Sequence, residues 1–99
     1  MKKLISTNEV KDLLLPIFKK YDINNAFLFG SVAKGTNNES SDLDILVDSS
    51  LKGLRFIGFL EEIRNAVNMD VDLLDVKHIE KGSMVEKEIE KTGVLIYAK

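Results

Sequence analysis

The sequence predicts a single small α/β (α+β) domain, in which helices pack on a mixed central sheet of three or four strands. Stretches with apolar residues at helical spacing alternate with short apolar runs that end at glycine or acidic residues. The chain has 99 residues, 44% of them hydrophobic, which suits one domain with a real core. We therefore expect one domain over residues 1–99.

The first helix is expected over residues 8–21, where apolar residues recur every three or four positions and form one stripe. Thr7 or Asn8 is predicted to cap its first turn. Pro16 lies well inside this pattern and lacks the N–H of a helical hydrogen bond. We therefore expect either a bent helix or two short helical pieces.

Two further long helices are expected. The second covers residues 52–67 and the third about residues 80–91, with Met84 turned inward and Gly93 ending the helix. The charged run at residues 86–91 predicts an exposed helix face with pairs between side chains four positions apart.

Four short apolar runs predict the strands. They cover residues 26–29, 43–47, 71–76 and 94–97. Gly30 ends the first run. Because the strands alternate with helices, we expect the helices to pack on the sheet.

A Gly-Ser turn follows the first strand directly. Its backbone N–H groups and the Ser31 hydroxyl could hold phosphate oxygens at a helix start, with Lys34 adding positive charge. The turn is predicted to be one helical turn that Gly35 ends in the left-handed conformation. Taken alone, Gly30, Ser31 and Lys34 are better explained as a strand-ending glycine, a capping serine and a solvated lysine.

Two carboxylates open the second strand. Asp42 and Asp44 are predicted to share one strand face, roughly 6–7 Å apart along the strand. Like charges this close raise each other's proton affinity unless a cation such as Mg²⁺ neutralises them. Asp72 joins them if the second and third strands pair, and two-metal transfer reactions use such a set. Each aspartate taken separately is also typical of a solvated strand end.

The composition argues against several kinds of partner. A net charge of −2 supplies no basic surplus for binding nucleic acid. The chain has no cysteine, which suits the cytoplasm. Polar and charged residues interrupt the first positions, which argues against a signal peptide, and no run approaches the ~20 apolar residues of a membrane span. We expect a cytoplasmic protein with no direct nucleic-acid or membrane contact.

In combination, these features resemble a known family. The sequence has GSVAKG at 30–35, SDLDILV at 41–47 and VDLLDV at 71–76. This order and spacing is similar to the nucleotidyltransferase domain of the DNA polymerase β superfamily, and above all to its small stand-alone members, the minimal nucleotidyltransferases (MNT). The resemblance covers essentially the whole chain and implies the polymerase β-type nucleotidyltransferase fold.

The resemblance also implies a catalytic role for the three aspartates. Asp42 and Asp44 would each contact two Mg²⁺ ions, and Asp72 would complete the shell of the ion near the acceptor hydroxyl. The implied reaction is in-line attack of an acceptor oxygen on the α-phosphorus of a nucleoside triphosphate, with pyrophosphate leaving.

The phosphate-binding residues follow from the same likeness. Ser31, with the backbone of Gly30, would hold the β- and γ-phosphates. Many relatives carry arginine at position 34. Lys34 keeps the positive charge but lacks the planar fork that grips a phosphate through two hydrogen bonds.

The resemblance suggests a protein partner as well. Small domains of this kind often pair with an all-helical HEPN toxin and act as antitoxins, adding AMP from ATP to a tyrosine of the toxin. We take this as the leading hypothesis, because the predicted domain includes no acceptor-binding part.

Two alternatives are kept. One is nucleotidyl transfer to a small molecule such as an aminoglycoside, perhaps by a homodimer that shares its pocket. The other is a non-catalytic module that neutralises a partner by contact alone, although the intact set of Asp42, Asp44 and Asp72 argues against it.

Overall fold

The computed structural model describes residues 5–38 and 40–99, so residues 1–4 and Glu39 lie outside the described part. The expectations for the first positions and for a domain over residues 1–99 therefore fall partly outside it.

Helices and strands alternate along the described residues. Their bounds are α1 Thr7–Lys20, β1 Asn25–Phe29, α2 Gly30–Lys34, β2 Leu43–Asp48, α3 Leu54–Val67, β3 Val71–Asp75, α4 Met84–Thr92 and β4 Val94–Ala98. A 3-10 turn, Val76–His78, leads from β3 towards α4. The alternation confirms the predicted fold class. Within residues 5–38 and 40–99, no helix has the length and apolar character needed to cross a bilayer.

The four strands form one mixed sheet in the order β3-β2-β1-β4. β1 pairs antiparallel with both β2 and β4, whereas β2 and β3 run parallel. Parallel neighbours need a long connection, which α3 supplies. The pairing of the second and third strands, on which the approach of the three carboxylates depended, is therefore present.

One face of the sheet lies beneath α1 and α3 and forms the core. The strand residues Leu43, Ile45 and Val47 point to this face and are fully buried, as the alternation along β2 predicts. The helix residues that pack against them are Val10, Leu14 and Phe18 of α1 and Phe59, Ile63 and Val67 of α3.

α1 differs from the prediction at its start and at its proline. Ser6 caps the helix instead of Thr7 or Asn8, because its Oγ accepts a hydrogen bond from the Glu9 N–H at 3.2 Å in a Ser-x-x-Glu capping arrangement. Pro16 does not divide the helix, which is continuous over 14 residues. Pro16 lies on the exposed side of α1, where water can hydrogen-bond the carbonyl that lacks its N–H partner.

α4 begins later than predicted. Ser83 accepts a hydrogen bond from the Glu86 N–H at 3.2 Å, and Glu86 Oε1 accepts one from the Gly82 N–H at 3.2 Å. This reciprocal cap fixes the start of the helix at Met84. Met84 therefore lies in the first turn and is 86% exposed, so the inward orientation predicted for it is wrong.

The opposite face of the sheet is only partly covered. Leu46 of β2 is buried there beside Ile89 of α4 and Val76 and Ile79 of the β3–α4 connection. α4 itself contributes no fully buried residue to the described structure. Asp44 lies on this same face, one alternation before Leu46, at the end of β2 nearest α2.

Candidate active site

α2 is the helical turn that the Gly-Ser sequence predicts. It begins at Gly30, directly after β1, and ends at Gly35, whose φ of +74° is left-handed. The Gly35 N–H donates to the Val32 carbonyl at 3.1 Å, and the Thr36 N–H donates to the Ser31 carbonyl at 3.0 Å. These bonds close the turn and confirm Gly35 as its end.

Gly30 lies directly against the carboxylate of Asp44. A Cβ atom added to Gly30 would overlap Asp44 Oδ2 and would lie 3.2 Å from Cγ. The φ of Gly30 is +74°, a conformation that residues with a side chain rarely adopt. Glycine at this position therefore leaves room for a carboxylate of the site, a role that the sequence did not reveal.

Asp44 and Asp72 are direct partners in the parallel pairing of β2 with β3. Their carboxyl groups are close enough to share a hydrogen bond, which contributes to the raised pKa of Asp44. Asp72 is exposed, whereas Asp44 is half-buried. The sheet thus brings together two carboxylates that lie on separate strands.

Burial is the largest cause that raises the pKa of Asp44, to about 6, and the charge of Asp72 is the next. The hydrogen bond with Asp72 and the charges of Asp42 and Glu88 act in the same direction. All these causes disfavour the ionised carboxylate, and a cation bound at this point would favour it.

Asp42 lies one residue before β2 and is exposed. Its charge reaches Asp44, and its side chain also lines an open polar cavity of about 440 Å³. Arg64, Asn65 and Asn68, at the end of α3, form part of the cavity wall. The cavity therefore adjoins the carboxylates and offers space for a polar group.

The donor set of Asp42, Asp44 and Asp72 fits Mg²⁺, which prefers oxygen ligands. Among the described residues, no three side chains of His, Cys, Asp or Glu already enclose a finished metal site. Mg²⁺ commonly uses one or two carboxylates and takes its other ligands from substrate phosphates and water. The assignment of these three aspartates as metal ligands stays a prediction.

Lys34 does not project freely into solvent. Its Nζ lies 2.8 Å from Oε1 of Glu88 on α4, and this ion pair lowers the pKa of Glu88. Glu88 was expected to pair with residues four positions away on its own exposed helix face. The Glu88 carboxylate does meet Thr92, four positions on, at 3.3 Å, but α4 also packs beside α2 and presents Glu88 to Lys34. No sequence spacing indicates this contact.

A strand followed by a Gly-Ser helical turn, with paired carboxylates on the next two strands, is the arrangement expected of a nucleotide-transferring class of protein. The family model described as "Polymerase beta, Nucleotidyltransferase" matches residues 13–99. The chain belongs to this family.

Curated relatives support the enzymatic class. Two proteins of Methanocaldococcus jannaschii are named as candidate protein adenylyltransferases. One is 31% identical over 77 residues, which are 76% of this chain and 83% of the relative. The other is 36% identical over 101 residues, and the match covers 91% of this chain and 95% of the relative. The chain is therefore a nucleotidyltransferase.

Solved structures establish the fold. A crystal structure of a toxin–antitoxin with AMP-PNP has a TM-score of 0.76 at 20% identity, over 90% of this chain and 73% of that one. A tri-AMPylated Shewanella oneidensis HEPN toxin in complex with an MNT antitoxin gives 0.71 at 16% identity, over 94% and 73%. The predicted resemblance to minimal nucleotidyltransferases is confirmed at the level of fold.

Proposed function

We propose that this protein is a Mg²⁺-dependent adenylyltransferase that transfers AMP from ATP to a hydroxyl group of a partner protein. The observation that carries the proposal is the direct pairing of Asp44 with Asp72, with the pKa of Asp44 raised to about 6. Two carboxylates held together oppose folding unless something binds there, so the arrangement favours a cation site over a structural role.

In this proposal, Asp42 and Asp44 would hold two Mg²⁺ ions, and Asp72 would be a further ligand. When bound, the ions supply counter-charge to the triphosphate and lower the pKa of the acceptor hydroxyl. The strand pairing sets Asp44 opposite Asp72, and Gly30 leaves room for the Asp44 carboxylate. The chain's contribution is thus to hold the donor oxygens in place before substrate arrives.

The phosphate end of the site is assigned to α2. The Gly30 backbone and the Ser31 hydroxyl hold the β- and γ-phosphates, and Lys34 adds positive charge beside them. A new bond forms between the acceptor oxygen and the α-phosphorus, and the bond from that phosphorus to pyrophosphate breaks. The acceptor proton passes to solvent.

For the acceptor, we propose a tyrosine of a helical HEPN-family toxin, which makes this chain the antitoxin of a cytoplasmic toxin–antitoxin pair. Two findings support this choice. The curated relatives are named as candidate protein adenylyltransferases, and a structurally similar MNT antitoxin is bound to an AMPylated HEPN toxin. We propose that the catalytic domain spans residues 1–99.

A small-molecule hydroxyl is the second candidate acceptor. The polar cavity of about 440 Å³ beside Asp42 favours it, because a compact polar molecule could occupy that space next to the carboxylates. In this case we expect a second copy of the chain to close the open side of the cavity.

The deciding experiment is a transfer assay. The protein is incubated with ATP, Mg²⁺ and a helical HEPN-family protein, and that partner is then weighed by intact-mass spectrometry. We expect one added AMP for each modified tyrosine, and none with Asp44→Asn or with EDTA.

An unmodified partner, or full activity of Asp44→Asn, would contradict the proposal. Calorimetry with ATP and Mg²⁺ separates the alternatives. Binding of ATP that EDTA abolishes, without transfer to the protein, favours a small-molecule acceptor. No binding of ATP favours a non-catalytic module.

A further inference from the structure

Lys34 and Glu88 join two helices that pack beside each other, α2 and α4. Lys34 is the last residue of α2, and Glu88 lies in the middle of α4. Their charged atoms are 2.8 Å apart, and about two-fifths of each side chain is exposed. The pair is therefore accessible from solvent while its two ends are held by separate helices.

Glu88 is itself fixed on its own helix. The Thr92 hydroxyl lies 2.9 Å from the Glu88 carbonyl and 3.3 Å from Glu88 Oε1. This contact and the ion pair with Lys34 limit the rotamers available to the carboxylate. Glu88 therefore gives Lys34 a defined partner position in place of a mobile one.

The pair also lies close to the carboxylates of the site. Lys34 ends the five-residue helix whose first residue, Gly30, lies against the Asp44 carboxylate, and α4 packs beside that helix. An unpaired carboxylate at this place would repel a triphosphate, and the Lys34 ammonium neutralises it.

We propose that Glu88 is a positioning residue for the nucleotide, which holds the Lys34 ammonium beside the β- and γ-phosphates. The inference rests on the proposed function, in which α2 binds the triphosphate. An ammonium has three N–H donors, so Lys34 can keep its bond to Glu88 while it donates to phosphate oxygens. Lysine lacks the rigid fork of arginine, so its direction must come from a neighbouring group.

This role predicts a dependence on the phosphates that a structural ion pair would not produce. Glu88→Gln keeps the shape of the side chain and removes its charge. We expect it to weaken the binding of ATP with Mg²⁺ about threefold, the size typical of an exposed charged pair. Binding of AMP with Mg²⁺ should be unchanged, because AMP has no β- or γ-phosphate.

The effect of Glu88→Gln on ATP affinity should change sign when Lys34 is also replaced. Lys34→Met keeps most of the stem and removes the charge, and we expect it to weaken ATP binding about tenfold. In that background Glu88→Gln should strengthen ATP binding, because Glu88 no longer has a cation beside it and repels the triphosphate. Glu90→Gln, on an exposed position of the same helix, is the matched control and should leave ATP binding unchanged.

Calorimetric titration of the wild type and the four variants with ATP and with AMP, each with Mg²⁺, measures these differences. Equal ATP affinity of the wild type and Glu88→Gln would overturn the inference alone, as would an equal loss for ATP and AMP. A wild-type protein that does not bind ATP with Mg²⁺ would overturn the proposed function, and this inference with it.

Discussion

The two faces of the sheet differ in the side chains that they bury: the face beneath α1 and α3 buries apolar residues, whereas the other face carries the carboxylate of Asp44. On the first face, every β2 residue that points inward is apolar and fully buried. On the second, a half-buried carboxylate precedes the buried Leu46 on the same strand. Alternation along one strand therefore supplies both a core and a charged site.

The helices show the same contrast. α1 buries three residues completely in the core, whereas α4, on the site face, has none fully buried among the described residues. α4 instead packs beside α2 and carries the glutamate that pairs with Lys34. Stability of the fold thus depends mainly on the first face, and the second can hold carboxylates at a cost that the core offsets.

The largest expected effect tests the core face. Phe59→Ala should lower the free energy of unfolding by about 3–5 kcal/mol, because Phe59 is fully buried and packs against the rings of Phe18 and Tyr21. Leu54→Ala on the same helix, at a site 85% exposed, should change it by less than about 0.5 kcal/mol. Urea unfolding monitored by circular dichroism measures both.

This comparison would fail if the two alanine variants were equally destabilised. A nucleotide affinity of the folded Phe59→Ala fraction much below that of the wild type would also argue that the two faces are not independent.

A smaller effect on stability is expected from substitutions at Gly30, where β1 ends beside the site. Gly30 and Gly35 share a φ of +74°, so alanine at either position should cost about 1 kcal/mol in backbone strain. Only at Gly30 would the new Cβ overlap Asp44, whereas at Gly35 nothing lies within 4 Å. We therefore expect Gly30→Ala to cost about 2 kcal/mol or more and to abolish transfer.

Gly35→Ala is the matched control, and it should retain transfer activity in the mass-spectrometric assay. Equal stability and equal activity of the two variants would show that the contact with Asp44 has no consequence.

Most helices and strands could be predicted from the sequence, because the patterns that indicate them involve residues close together in the chain. Apolar runs such as residues 43–47 mark buried strands, and the spacing of apolar residues marks α1 and α3. The start of α4 was also encoded locally, in the capping pattern from Ser83 to Glu86. The prediction relied on the spacing of apolar residues instead, which does not locate a helix end closely, and it set the start at residue 80.

The site was only partly accessible to sequence reasoning. The motif pointed to Asp42, Asp44 and Asp72, but the direct pairing of Asp44 with Asp72 depends on the register of two strands. The contact of Lys34 with Glu88 depends on how two helices pack. Neither is a property of residues that are close in sequence, so no spacing rule could give them.

The smallest effect is the pH dependence of stability that Asp44 causes, on the face of the sheet that carries the site. The pKa of Asp44 rises from an ordinary 3.8 to about 6 in the folded protein. Between pH ~4 and ~6 the folded state therefore holds a proton that the unfolded state has lost, and stability falls as the pH rises through this range. Above pH ~6 the ionised Asp44 opposes folding in full.

Asp44→Asn removes this penalty while keeping the shape of the side chain. In EDTA at pH 7.5 the variant should be more stable than the wild type by on the order of 1 kcal/mol, after allowance for solvent screening. The difference should shrink towards pH 4, where Asp44 is protonated in the folded protein. Mg²⁺ should stabilise the wild type and leave the variant unchanged. Urea unfolding at the two pH values, with and without Mg²⁺, measures these differences. A variant less stable than the wild type at pH 7.5 would refute the claim that the charge of Asp44 destabilises the metal-free protein.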